Sequence, residues 1–301
     1  MPRRPALALV LSLLSASTAA AQQQDFSRVN ITVVPVTPDI YMLQGAGGNI
    51  GLSVGRDDAF VVDDQYAPLT AKVRAAIATV TTKPVRFVVN THWHGDHTGG
   101  NENMASAGAI VVAHDNVRRR MSTEQFIEQF NLREPASPVA ALPVITFSDT
   151  ISFFVNGDTV RAMHVRRAHT DGDAVIVFRA ANVVHMGDVY FNGMYPFIDV
   201  SSGGSLVGTI AAVDAVLAMT DAGTKIIPGH GPLATRADLV RYREMLVAVR
   251  TRVAPLVARR RTLQQVLAAK PLAELDVIWG KGFMKPDQFL TAVYSSLSRR
   301  R

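Results

Sequence analysis

Short apolar runs alternate with turn-forming clusters along most of this chain, and they predict strands interleaved with helices. Residues 31–36, 40–43, 50–54 and 59–62 are rich in β-branched or aromatic side chains, and Gly45-Ala46-Gly47-Gly48-Asn49 punctuates them. The period then changes: within residues 68–80, Leu69, Val73, Ala76, Ile77 and Val80 share one helical face. Residues 85–89 read as a buried strand, Gly99-Gly100-Asn101 leads into a short helix, and residues 110–113 form another strand. Residues 115–132 are expected to be helical, ended by Glu134-Pro135-Ala136-Ser137-Pro138.

A second group of strands follows at residues 151–155, 160–164, 174–178 and 183–185, with Asn156-Gly157 as a hairpin turn between the first two. Residues 206–219 predict a helix and residues 225–227 a last strand. From Ala237 onward the pattern is helical, with Pro271 and Pro286 as punctuation and a capping box at Thr262 and Gln265. The two halves share a strands-then-helix rhythm. The fold class this implies is α/β, a four-layer αββα sandwich with a C-terminal helical extension. The expected division is a signal peptide over 1–21, a main domain over 22–235 and the extension over 236–301.

The chemistry concentrates in Asn90-Thr91-His92-Trp93-His94-Gly95-Asp96-His97, where four metal-capable side chains fall within six positions. A regular helix would scatter them around its axis and a strand would split them between two faces, so a loop folded around metal is expected. His92 and His94 can reach one ion, and Asp96 and His97 a second. Imidazole and carboxylate without thiolate suit zinc or another first-row metal. Three further strand-end loops carry a metal-capable residue near glycine: Ala168-His169-Thr170-Asp171-Gly172-Asp173, Met186-Gly187-Asp188 and Pro228-Gly229-His230-Gly231.

Composition narrows the chemistry further. The chain has no cysteine, so thiolate ligands, cysteine nucleophiles and disulfides are all excluded. Arg3 and Arg4, an apolar stretch over 6–14 and Ala19-Ala20-Ala21 form the ordered parts of a secretory signal, which places the mature protein in the periplasm or outside the cell. No later stretch is long and apolar enough for a membrane span. The formal charge is +6, and falls to about +4 once the signal is removed. The basic runs at 118–120, 259–261 and 299–301 are not interleaved with aromatics, so they read as solvated faces rather than a nucleic-acid surface.

Taken in order, these loops resemble the metallo-β-lactamase superfamily, whose signature is matched by His92-Trp93-His94-Gly95-Asp96-His97. The resemblance runs from about Val29 to Leu233 and implies the αββα sandwich with metals at one edge. It implies that His92, His94 and His169 hold one metal, that Asp96, His97 and His230 hold a second, and that Asp188 bridges them. Two zinc ions would then lower the pKa of a bridging water, and the resulting hydroxide would attack a carbonyl of a small-molecule substrate. Asp96 is also the candidate catalytic residue, orienting the nucleophile or receiving its proton.

The substrate is less legible. The export signal and the layout look like the β-lactam-hydrolysing branch, yet Asp188 stands where many such enzymes have cysteine, and Val189-Tyr190-Phe191 follows without the usual lysine. Asp188 with His97 instead resembles the glyoxalase II, lactonase and general hydrolase branches. A lactone, ester or thioester is therefore the alternative to a β-lactam amide. Iron-dependent persulfide dioxygenase chemistry and phosphodiester cleavage rank lower. Oligomeric state is not legible. Asp171 and Asp173 can support His169 or cap a turn, and Asp63 and Asp64 can stand behind the ligands. His114, His164 and His185 have no ligand spacing and are expected to be packed or at the surface. The stretch Tyr190, Phe191, Met194, Tyr195 and Phe197 can line a cleft or fill the core.

Overall fold

The structure, a computed structural model, describes residues 25–299; the expected signal peptide lies outside them. In chain order the first strands are β1 (Thr32–Pro35), β2 (Ile40–Gln44), β3 (Ile50–Ser53), β4 (Ala59–Val62), β5 (Val85–Val89) and β6 (Ile110–His114). A small hairpin of β7 (Gln125–Ile127) and β8 (Leu132–Glu134) intervenes before β9 (Ile145–Phe147). One sheet has the order β1-β2-β3-β4-β5-β6-β9. The other runs in sequence order through β10 (Thr150–Val155), β11 (Asp158–His164), β12 (Ala174–Phe178), β13 (Val183–His185), β14 (Lys225–Ile227) and β15 (Ala234–Thr235).

Strand alternation turns these residues into layers. In β4, Phe60 and Val62 face the second sheet, while Ala59 and Val61 face the outer helices. In β12, Ala174, Ile176 and Phe178 meet them from the other side, and Val175 faces outward. The outer layer on the first sheet is α1 (Thr70–Ala78) with α3 (Asn101–Ser106), separated in sequence by the single turn α2 (Gly95–Thr98). The second sheet is covered by α5 (Leu206–Met219) and α6 (Arg236–Ala258). Between these lie three apolar clusters, one for each interface of an αββα sandwich.

After α4 (Asp115–Met121), α6 is followed by α7 (Leu263–Ala268), α8 (Ala273–Trp279) and α9 (Pro286–Ser298). Their side chains Val266, Leu272, Phe289, Leu290 and Val293 belong to the same buried cluster as Leu206 and Val213 of α5. Thr262 and Gln265 form the expected capping box. Among the described residues no helix is long and apolar enough to cross a membrane.

The expectation of a helix over 115–132 is corrected. The helix stops at Met121, and residues 125–134 form the β7–β8 hairpin. Asn131 takes the left-handed conformation at φ 50° that the hairpin connection needs, which asparagine accepts more readily than most residues. Phe126 and Ile127 favour the extended chain.

Candidate metal centre

Parallel strands β4 and β5 end side by side, and the loops that follow them build the site. After β5, His92 lies in a bend and His94 in extended backbone, whereas Asp96 and His97 sit in the single helical turn α2. The expected metal loop is thus half loop and half helix. The turn directs Asp96 and His97 together toward a different point from His92 and His94. His169 arrives from the loop before β12, Asp188 from the 3-10 turn after β13, and His230 from the loop after β14.

Two groups of ligand atoms result. His92, His94, His169 and Asp188 form one, and Asp96, His97 and His230 the other. In the first, His94 Nδ1 lies 3.1 Å from His92 Nε2 and 2.9 Å from His169 Nε2. In the second, His97 Nε2 lies 3.4 Å from His230 Nε2, and Asp96 Oδ2 lies 3.3 Å from His230 Nε2. Asp188 stands between them. Its Oδ2 is 3.6 Å from His169 and 3.8 Å from His92, while its Oδ1 is 3.0 Å from His97 and 3.3 Å from His230.

The donor set fits a pair of cations. Buried Asp188 Oδ1 makes no hydrogen bond of good geometry despite its short distances to His97 and His230. Ring nitrogens converge on one another in both groups, an arrangement that imidazoles favour around a shared cation. Backbone also leaves room for little else: a Cβ on Gly229 would strike Asp188 Oδ1, and one on Gly48 would strike the His97 ring.

Carboxylates orient the imidazoles from behind. Asp63 accepts a hydrogen bond from His97 Nδ1 at 2.7 Å, and from Thr91 through both its backbone N–H and its hydroxyl. Asp63 adopts φ 62° to do so, a conformation that costs a non-glycine residue on the order of 1 kcal/mol and suggests that the placement serves the site. Asp199 accepts from His94 Nε2 at 3.1 Å and is itself held by Ser201 and Ser202. His169 Nδ1 donates to the Phe197 carbonyl at 2.8 Å. These bonds fix Nε2 of His97 and His169 and Nδ1 of His94 as the free nitrogens. Asp199→Ala is expected to lower affinity for a metal in the first group by about 10- to 100-fold. Zinc titration of the variant checks this, and an unchanged affinity would show that His94 needs no support.

Burial and charge oppose each other strongly here. Burial pushes His92 well below the usual histidine range, helped by the charge of His97, and pushes His169 down to about 4. Burial acts the same way on His97 and His230, but the nearby carboxylates, Asp188 foremost, win and raise His97 well above its ordinary value and His230 to about 9. Asp96 falls to about 2 because His97 and His230 outweigh its burial. At pH 7 the metal-free chain therefore holds His97 and His230 protonated, and a metal takes their nitrogens only as the protons leave. Metal loading at pH 7 is expected to release on the order of two protons per chain. Calorimetry in buffers of different ionisation enthalpy measures the number, and a value near zero would contradict the assignment. The same linkage sets stability. Both groups lie above the unfolded value of about 6.5. Their stabilisation of the metal-free chain is complete below that pH and is lost as pH rises through about 9 for His230.

Other sequence candidates fall away from the centre or behind it. Asp173 accepts from the backbone N–H groups of His169 and Thr170, so it caps that turn and supports His169 at once. Asp171 instead pairs with Arg120. Asp64 accepts from Gly100 N–H. His185 is buried with Nε2 3.0 Å from the Asn49 carbonyl, and His114 and His164 stack on each other at 3.8 Å. Trp93 packs in the core beside His94. In the aromatic stretch, Phe191 stacks on His230 and Phe197 on His94, while Tyr190 and Tyr195 are fully buried. Asp199 and Glu134 were not signalled by the sequence. Glu134, at the end of β8, is raised by its burial, with His94 opposing and Asp96 adding to the shift.

A two-layered pair of sheets with His and Asp ligands at the strand ends defines a metallo-hydrolase-type centre. The chain belongs to the metallo-beta-lactamase superfamily, whose model matches residues 45–236. Among the solved structures that share its fold are three of varied activity. A metallo-beta-lactamase from Pontibacter korlensis is 17% identical with a TM-score of 0.60, over 72% of this chain and 99% of its own. The DIM-1 metallo-beta-lactamase is 16% identical with a TM-score of 0.57, over 73% of this chain and 98% of its own. The stereoselective inverting sec-alkylsulfatase Pisa1 from Pseudomonas sp. is 19% identical with a TM-score of 0.68, over 88% of this chain and 50% of its own.

Proposed function

We propose that this protein is a two-zinc hydrolase that activates water against the carbonyl carbon of a small-molecule substrate. The observation that carries the reading is Asp188, whose two oxygens face the two groups of ligand atoms separately. In this reading His92, His94 and His169 hold one ion, Asp96, His97 and His230 the other, and Asp188 touches both. Imidazole and carboxylate donors without thiolate favour zinc among available metals.

Bound there, two cations supply an acidified water and positive charge for the oxyanion that develops. The chain's own groups do the rest. Asp96 and His230 are the most exposed of the seven, with side chains 21% and 26% accessible, so they face the entering substrate. Asp96 orients the nucleophile and accepts its proton. Asp63 and Asp199 hold His97 and His94 in their productive ring orientations.

The carbonyl belongs to a β-lactam amide or to a lactone, ester or thioester. A second reading, hydrolysis of an alkyl sulfate, draws on the likeness to the sec-alkylsulfatase, which extends over 88% of this chain where the lactamases reach 72% and 73%. The pattern over residues 1–21 supports export to the periplasm or beyond.

Metal analysis of protein saturated with zinc is expected to find close to two ions per chain. A panel of β-lactams, lactones, thioesters, alkyl sulfates and phosphodiesters then separates the substrate classes. Saturation at one ion per chain would remove the two-metal reading.

A further inference from the structure

An aromatic ledge leads from the metal centre to the surface, and three separate segments of the chain build it. Phe197, in the stretch after Asp188, stacks on the His94 ring at 5.7 Å and 22°. Phe130, in the connection between β7 and β8, lies 4.8 Å from Phe197. Phe283, between α8 and α9, lies 5.4 Å from Phe130 and is 63% exposed. Burial thus decreases steadily from a ring against a ligand histidine to a ring in solvent.

The ledge is held in place. The Tyr195 N–H donates to the Trp279 carbonyl at 2.9 Å, and Gly282 sits so close to Met194 that a Cβ would clash. The hairpin connection is tied down by Gln129, which donates to the Gln288 carbonyl at 3.3 Å, and by the Arg299–Glu128 pair at 3.0 Å. The result is one apolar strip, buried at Phe197, half-buried at Phe130 and exposed at Phe283, that runs from the His94 ring to solvent.

We infer that Phe197, Phe130 and Phe283 form the subsite for an apolar arm of the substrate, an alkyl or aryl chain attached to the hydrolysed group. The inference rests on the hydrolase reading and deepens it. The subsite selects length by burying methylenes along the ledge.

The test uses the zinc-loaded full chain and n-alkyl hydroxamic acids of two to ten carbons, which bind metal without being turned over. Affinity measured by calorimetry is expected to rise about fourfold per methylene until the chain passes Phe283. Phe283→Ser, at an exposed position, shortens the rising part of the series, and Phe130→Ser flattens it further. An identical slope in the wild type and both variants overturns the subsite. Turnover of 4-nitrophenyl esters with the same acyl lengths separates the two ideas. If neither these esters nor the β-lactams, lactones and thioesters of the panel are cleaved while the hydroxamate slope holds, the ledge stands and the hydrolase reading falls. If they are cleaved with no dependence on chain length, the ledge falls and the hydrolase reading stands. Failure of every hydroxamate to bind overturns both.

Discussion

Asp188→Ala is expected to lose metal occupancy in both groups and to lower kcat on the order of 10²-fold or more, the scale of removing a principal electrostatic element. Asp188 Oδ1 reaches toward His97 and His230 while Oδ2 reaches toward His92 and His169, so one truncation removes a donor from both sides. It also deletes the carboxylate that does most to raise His97 and His230. Without it, the two histidines release protons more readily, so competition from protons weakens while the donor set shrinks. Relative to the wild type, occupancy should therefore fall less near neutral pH than above about pH 9, where the wild-type His230 carries no competing proton and only the lost donor counts. Asp188→Cys keeps one favourable contact but cannot span both groups, and is expected to retain partial activity and one of the metals. Folding is expected to suffer less than activity, because His97 and His230, no longer raised by the carboxylate, can shed their protons and so leave less unpaired charge buried. Metal analysis with kcat, beside circular dichroism, reads all three effects. Two bound metals and near-wild-type turnover in Asp188→Ala would make the bridging role untenable.

The sequence was most legible where one short segment carried its own constraint. The run from His92 to His97, and the glycine-flanked His169, Asp188 and His230, stand at strand ends, and strand ends are what a parallel sheet brings together. The layered fold is legible from the strands-then-helix rhythm shared by the two halves, whereas β4 and β12 are apolar on both faces and only the structure shows which of their side chains point between the sheets. Legibility failed where structure depends on distant contacts. Nothing around Pro196-Phe197-Ile198-Asp199 signals that Asp199 meets His94, 105 positions earlier in the chain. The sequence of the hairpin at residues 125–134 predicts helix because its strands have three residues each, too short to show a period. Strand β9, also three residues long, was missed in the same way. Asp171 and Asp173 looked equivalent on either side of Gly172, yet one binds Arg120 and the other the backbone of His169. Only the third dimension separates them.

Truncation after Leu233 is expected to yield protein that does not fold, a larger effect than loss of a peripheral extension. The segment beyond it buries Leu239, Tyr242, Met245, Leu246, Val249 and Val253 from α6, and Phe289, Leu290 and Val293 from α9. Each fully buried side chain of this size contributes about 1.5–3 kcal/mol relative to exposure. Removing even half of them therefore approaches the roughly 5–15 kcal/mol by which a whole domain is stable. Removal also uncovers Val213 and Val216 of α5 and the outward face of the second sheet, including Val175 and Val184. The damage extends to the metal centre, because Tyr195 loses its partners Trp279 and Asp276, and the stretch that carries Phe197 and Asp199 is anchored through Tyr195. A milder cut separates these two consequences. Stopping the chain after α8 keeps α6 and the Tyr195 hydrogen bonds to Trp279 and Asp276 but removes α9 with the Phe289 ring stacked on Tyr195, so the protein is expected to fold with a lowered Tm and to retain zinc. Soluble yield, thermal unfolding and zinc content of the two truncated chains check the argument. Should the chain ending at Leu233 prove soluble, with wild-type Tm and zinc content, the helices from Arg236 onward would have no part in the core they fill here.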